Sequence, residues 1–273
     1  MLLVVLLVQI AIAQPTANIL TRISMVESAF FRGTVFSLDV DKREYWITAK
    51  HVLTGAEHPP YGSIKSKSER VKILRGQQWL TTEFAILDPG EDIDIVVLAP
   101  SRLLLSNPLP SLIPSSNGVV LGGNCQFLGY PYGAGWPIKF DLGTSVWYPY
   151  VKHCGVSAMA QGDKRFWTLD GINNLGFSGG PVTYLTGPQQ QVFAVVSGYL
   201  TEPTDVVTSP LSKPPAPPQP PAQRKLSQAS TKTEGGKTKQ LVNVNSGFIL
   251  AFDIQYAIDA IHKSPIGPLR NSN

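Results

Sequence analysis

The stretch Asn174-Leu-Gly-Phe-Ser-Gly-Gly-Pro181 sets a serine among glycines, with Gly176 before it and Gly179 and Gly180 behind it. Glycine reaches backbone angles that a Cβ forbids, so the chain can turn sharply on both sides of Ser178 and hold its hydroxyl outward. The same turn aims neighbouring N–H groups at one point, and those of Gly176 and Ser178 are candidates for an oxyanion hole. A serine hydroxyl alone is a weak nucleophile. It needs a base, and the base needs an acceptor that fixes its tautomer.

Two blocks upstream offer both. Trp46-Ile-Thr-Ala-Lys-His51 reads as a strand that delivers a histidine to its tip. Asp92-Ile-Asp94-Ile-Val-Val-Leu98 reads as an acid opening an apolar strand. Singly, each has an ordinary reading: a surface or core histidine, a turn aspartate, a glycine-rich loop. Taken in the order His51, Asp94, Ser178, with room for several strands between them, they form a nucleophile–base–orienter set. His58, His153 and His262 have no nucleophile motif beside them and read as surface or core residues. Cys154 next to His153 does not make a thiol pair, because adjacent residues of a strand face opposite ways.

The rest of the chain decides which fold carries this set. Short runs rich in Val, Ile and aromatic residues recur: Gly33–Val40, Tyr45–Thr48, Val71–Leu74, Ile93–Leu98, Gln126–Gly129 and Val192–Ser197. Turn residues punctuate them at Asp41-Lys42, His58-Pro-Pro60, Asp88-Pro-Gly90 and Tyr132-Gly-Ala-Gly135. That rhythm predicts an all-β sandwich or barrel. One helix is expected over residues 252–263, where Phe252, Tyr256, Ala257 and Ala260 share a stripe and Pro265 forbids continuation.

Residues 203–240 differ in composition, being rich in Pro, Gln, Ser, Thr and Lys, and are expected to be an extended, disordered insertion inside the second half of the fold. An inert solvated loop is favoured there over an adhesive segment. The net charge of +4 resides in it: six bases against Glu234 between Ser209 and Gln240 leave the remainder at −1. A basic segment without aromatic recognition residues does not point to nucleic acid. Hydrophobic residues at 43% against charged residues at 15% supply enough apolar surface for a core.

Met1 to Ala13 is an apolar run ending Ala11-Ile-Ala13, the small-x-small pattern of signal peptidase cleavage, although no Lys or Arg precedes it. It is too short to span a bilayer, so a signal peptide 1–13 is expected and no transmembrane anchor, with the protein secreted or periplasmic. Cys125 and Cys154 permit one disulfide if their strands are hairpin neighbours. Neither has the spacing of a zinc site, and no metal or cofactor is expected.

The blocks Thr-Ala-Lys-His51, Asp94-Ile-Val-Val-Leu98 and Gly176-Phe-Ser-Gly-Gly-Pro181 resemble the three signature blocks of the trypsin-like serine peptidases, and most closely the short bacterial members without a PDZ domain. The resemblance runs from about Phe30 to Ile261. It implies two antiparallel Greek-key β-barrels, at 14–115 with His51 and Asp94 and at 116–263 with Ser178, followed by a C-terminal helix. It implies protein or peptide substrates. It also favours Asp94 over Asp92, whose following residues break the apolar pattern. Substrate contacts are implied at Ile172, Leu175, Ser197, Gly198 and Tyr199, with the uncharged Ile172 at the base of the primary pocket and Asp170 nearby. Phe177 stands where activated-zymogen members carry an aspartate, so insertion of a charged N-terminus is not expected to shape this oxyanion hole. The alternative to an active endopeptidase is a catalytically silent homologue that binds peptides or partners; retention of all three triad residues favours the enzyme.

Overall fold

The computed structural model describes residues 15–105, 110–139, 145–162, 164–186, 189–208, 231–234 and 237–270; the expected signal peptide 1–13 lies outside the described residues. The first part of the chain forms β1 (Ile23–Glu27), β2 (Arg32–Val40), β3 (Arg43–Thr48), β4 (Ser68–Arg75), β5 (Gln78–Leu87) and β6 (Val96–Pro100). These strands pair antiparallel in the cyclic order β1-β2-β3-β6-β5-β4 and close a barrel. Alternation along each strand sends side chains to opposite faces. Val26, Val35, Trp46, Val71, Phe84 and Leu98 come from the six strands in turn and meet in one buried cluster, the barrel interior. Their neighbours Met25, Phe36, Leu38, Tyr45, Ile47 and Val97 enter a second cluster together with Leu128, Val195, Phe252 and Ile261 from the other half of the chain. One apolar layer therefore joins the halves.

The second half contributes β7 (Ile113–Pro114), β8 (Asn124–Gly129), β9 (Trp136–Lys139), β10 (Ser145–Tyr148), β11 (Tyr150–Gln161), β12 (Arg165–Asp170), β13 (Pro181–Thr186), β14 (Gln189–Thr208), β15 (Thr231–Glu234) and β16 (Lys237–Asp253). Strands β16-β12-β11-β8-β13-β14 run in that order, and pairing of β14 with β16 closes them into a second barrel. Phe127, Val156, Trp167, Leu169, Val182 and Phe193 fill it. In the β8–β11 ladder Cys125 lies directly opposite Cys154, and a disulfide joins them across a Cα–Cα distance of 5.0 Å. The helices are short: α1 (Ala17–Arg22), α2 (Lys50–Thr54) and α3 (Gln255–Lys263). α3 buries Ala257, Ile258 and Ile261 in the layer between the barrels.

Four expectations are corrected. The helix begins at Gln255 and not at 252, because Phe252 and Asp253 complete β16 and the Asp253 carboxylate accepts the Gln255 N–H at 2.8 Å. The segment 203–240 is not disordered throughout. β14 runs to Thr208, β16 starts at Lys237, and the two stay paired from Thr201–Asn245 out to Thr208–Thr238, with β15 alongside. Averaged over the whole segment, its composition hides β-branched ends that can satisfy their backbone groups as a ladder. Residues 209–230 of the segment lie outside the described residues. The strand expected over Asp92–Leu98 begins only at Val96: Asp92 lies in a turn, and Ile93, Asp94 and Ile95 form an irregular stretch ahead of β6. Finally, the boundary at 115 is crossed: β7 pairs parallel with β14, and the tail after α3 returns to the first barrel, where Leu269 bridges Arg43.

Candidate active site

β3 ends at Thr48, and the chain passes directly into the single turn of α2, which carries His51 out of the first barrel. Gly55, in the left-handed conformation, closes that turn by donating its N–H to the His51 carbonyl at 2.8 Å. Asp94 comes from the turn before β6 and has no exposed surface. A buried carboxylate is costly unless its oxygens are hydrogen-bonded. Here Oδ1 accepts the His51 backbone N–H at 2.8 Å, and Oδ2 lies 2.7 Å from His51 Nδ1. Oδ2 also accepts the Ser197 hydroxyl. With Nδ1 engaged, His51 keeps Nε2 as its free ring position.

Ser197 joins the two halves of the site. While its hydroxyl binds Asp94, its carbonyl accepts the Ser178 hydroxyl at 3.4 Å. The β14–β16 register slips between Val196 and Gly198, so Ser197 is the extra residue of a β-bulge. A bulge re-aims a side chain that strict alternation would point elsewhere. The Ser197 side chain is thereby committed to Asp94. Tyr61, buried beside it, has its phenol pushed above the usual range by burial, which its hydrogen bond with Ser197 opposes.

The loop before β13 is held by backbone contacts on both sides of Ser178. The Gly179 N–H donates to the Val196 carbonyl at 2.7 Å, and the Thr34 N–H donates to the Ser178 carbonyl at 2.8 Å. The Thr34 hydroxyl donates to the Gly176 carbonyl at 2.7 Å and accepts the Tyr130 N–H at 3.1 Å. Gly176 and Gly179 have φ of +102° and +84°, and a Cβ at either would lie 2.3 Å from the Tyr130 oxygen or 2.2 Å from the Thr34 oxygen. Both the conformation and the close approach therefore require glycine. Phe177 is fully buried and stacks edge-on against Phe127 at 4.9 Å. Among the described residues, neither the Gly176 nor the Ser178 amide donates to another backbone group.

Of the remaining candidates, Ile172 and Leu175 are about 60% exposed on the outer side of this loop. Gly198 and Tyr199 are half-buried, and open space lies beyond the position a Gly198 Cβ would take. Asp170 and His153 are exposed. Asp92 is exposed and pairs with Lys164 at 3.0 Å, leaving Asp94 as the carboxylate on His51. Sequence reasoning missed two lysines. Lys50, wholly buried beside His51, pairs with Asp88 and donates to the Gly90 carbonyl, which anchors the turn that presents Asp94. Lys152 reaches the loop that carries Ser178 from β11. Their partners are distant in sequence, so no local motif marks them.

Residues 32–188 match the family described as trypsin-like peptidase domain. No curated protein sequence matches the chain. Among solved structures it is similar to the Rv3671c protease in its inactive form, at 16% identity and a TM-score of 0.52, with 90% of each chain covered. Another Rv3671c structure, from M. tuberculosis H37Rv, aligns at 16% identity and a TM-score of 0.53 over 94% of this chain and 98% of that one. The HtrA-type protease AlgW, solved with a tripeptide, aligns at 15% identity and a TM-score of 0.53 over 91% of this chain and 61% of that one. At such identities the likeness is one of fold.

Proposed function

The chain belongs to the trypsin-like peptidase family, and from that premise we propose that it is a serine endopeptidase using Ser178, His51 and Asp94. The observation that carries this reading is the buried Asp94 carboxylate, which binds His51 through both its backbone N–H and Nδ1 while Ser197 links the same carboxylate to Ser178. In the proposed reaction His51 Nε2 removes the Ser178 proton as Oγ adds to the scissile carbonyl. Asp94 stabilises the imidazolium that results. The carbonyl electron pair moves to the oxygen, which the Gly176 and Ser178 amides receive. Collapse returns the proton from His51 to the leaving amine and leaves an acyl-enzyme on Ser178. Water, deprotonated by the same imidazole, then releases the acid.

The substrates are protein or peptide chains, paired along Gly198 and Tyr199 of β14 as an added strand. Ile172, exposed and uncharged, offers no counter-charge that would select Lys or Arg. The apolar run Met1–Ala13 supports export to the periplasm or the medium.

Purified Ser178→Ala protein should hydrolyse casein about 10⁶-fold more slowly than wild type, the order of loss when a triad nucleophile is removed. A fluorophosphonate probe should label wild type at Ser178, located by mass spectrometry. Wild type that neither cleaves casein nor takes the label would point to a silent, peptide-binding homologue instead.

A further inference from the structure

Residues 172–176 present the amide and the side chains of the candidate oxyanion loop, yet they belong to no strand. Ile172 and Leu175 face outward, so apolar burial does not hold this segment in place. Polar contacts fix it instead: Asn245 Nδ2 donates to the Asn173 carbonyl at 2.7 Å, the Tyr132 N–H to the Leu175 carbonyl at 2.6 Å and the Thr34 hydroxyl to the Gly176 carbonyl at 2.7 Å, and to these Lys152 adds the one cation from the barrel wall among the described residues. Lys152 lies on β11 directly opposite Phe127 of β8, and both strands are part of the closed second barrel. Its ammonium donates to the Ile172 carbonyl at 2.5 Å and to Asn174 Oδ1 at 2.8 Å. The same nitrogen sits over the Phe177 ring, 5.6 Å from its centroid, and 6.0 Å from that of Phe127. One cation thus grips the loop at three successive points, up to the residue next to the nucleophile.

We infer that Lys152 is a positioning residue of the oxyanion hole: its ammonium ties the 172–177 loop to the barrel wall and so helps to align the Gly176 and Ser178 amides. The inference rests on the peptidase reading given above. The charge itself is the informative part. Among the described residues no carboxylate pairs with Lys152; its partners are a carbonyl, a carboxamide and two ring faces. A methionine or leucine would cover the same rings without desolvating a cation. An ammonium offers what they lack: several donors from one atom, together with attraction to the negative faces of aromatic rings. These contacts fall on the segment that must keep its geometry while negative charge develops at the substrate oxygen, and alignment of such donors governs turnover more than binding.

The test compares Lys152→Met, Lys152→Arg and Asn174→Ala with wild type, using a fluorophosphonate probe under conditions that separate kinact from KI, with casein hydrolysis and thermal unfolding alongside. Lys152→Met should unfold within a few degrees of wild type, lose about 10- to 100-fold in kinact and in casein turnover, and keep KI within about threefold. Lys152→Arg, which restores the cation, should recover most of the loss. Asn174→Ala should slow kinact in the same sense by roughly threefold to tenfold. Combined with Lys152→Met it should cost less than the two losses multiplied, as expected for partners in one contact. A Lys152→Met protein with kinact within about twofold of wild type would overturn the inference. So would Lys152→Arg no better than Lys152→Met, since packing and not charge would then be responsible. If Lys152→Met does not fold, Asn174→Ala decides, and an unchanged kinact there would overturn it. These outcomes leave wild-type labelling intact. Loss of labelling in wild type itself would overturn the peptidase reading, and this inference with it.

Discussion

Gly179 shows how little room the loop around Ser178 leaves. Its φ of +84° is strained for any side chain, and a Cβ would come within 2.2 Å of both the Thr34 carbonyl and the Thr48 hydroxyl and 2.7 Å from the Ala49 nitrogen. Those atoms belong to β2, to the end of β3 and to the residue that leads into the turn carrying His51, so the second barrel presses its Ser178 loop onto the first at this point. Gly118 is the natural comparison: its φ is +82°, but a Cβ there would meet nothing within 4 Å. Gly118→Ala should therefore cost only the backbone strain, about 1–2 kcal/mol. Gly179→Ala adds overpacking against backbone and should cost about 3 kcal/mol or more. Thermal unfolding of the two variants followed by circular dichroism checks the ordering, and equal midpoints would contradict the close packing of the barrels at Gly179.

At the scale of an element, the long β14–β16 hairpin behaves as two parts. Its inner part, up to the irregularity between Tyr199 and Thr201, is barrel wall, with Val195 and Val196 of β14 and Ala251 and Phe252 of β16 in the buried clusters. Beyond Thr201 the two strands pair with each other, and among the described residues only β15 joins them. An arm that pairs with itself contributes little to the barrels, and a long connection adds little closure entropy. Replacing residues 204–239 by a short Gly-Ser linker should leave the thermal midpoint within about 3 °C of wild type, a change of roughly 1 kcal/mol or less for a chain of this size. A larger fall, measured by calorimetry, would show that the arm packs on the body of the protein.

Over the whole molecule, the last described residues act as a clasp. After α3 the chain crosses back to the first barrel, where the Arg270 guanidinium binds Asp39 at 2.7 Å and Glu44 at 2.5 Å and donates to the Leu105 carbonyl at 2.9 Å. Glu44 is fully buried and also accepts the Leu104 and Leu105 N–H groups and the Trp46 indole N–H. Without Arg270 its charge stays buried and loses its counter-ion, a change that typically costs about 3–5 kcal/mol. Arg270→Ala should accordingly lower the midpoint by roughly 10 °C. The expected loss should shrink in Glu44→Gln/Arg270→Ala, where no buried charge is stranded; an Arg270→Ala midpoint equal to wild type would show that the tail does not brace the first barrel.

The chain's own residues determined the all-β character, the glycine conformations around Ser178 and the three blocks that hold His51, Asp94 and Ser178, because each of these depends on local chemistry: period-two alternation, the missing Cβ of glycine, and side-chain type beside a turn. The same locality explains why Asp41 and Lys42, with φ of +50° and +61°, were legible as the turn between β2 and β3. What only the tertiary structure decided depends on contacts between distant residues. The bulge at Ser197 exists because β14 must register against β16 on both sides of it. Asp94 faces His51 while Asp92 turns to Lys164, because both lie ahead of β6, where strand alternation does not fix their directions. Lys50, Lys152 and Arg270 find partners 38, 22 and 226 residues away, counted to Asp88, Asn174 and Glu44. A lysine or arginine has no local signature for such a role; its charge reads the same on a solvated face, and only the folded chain brings the acceptors to it.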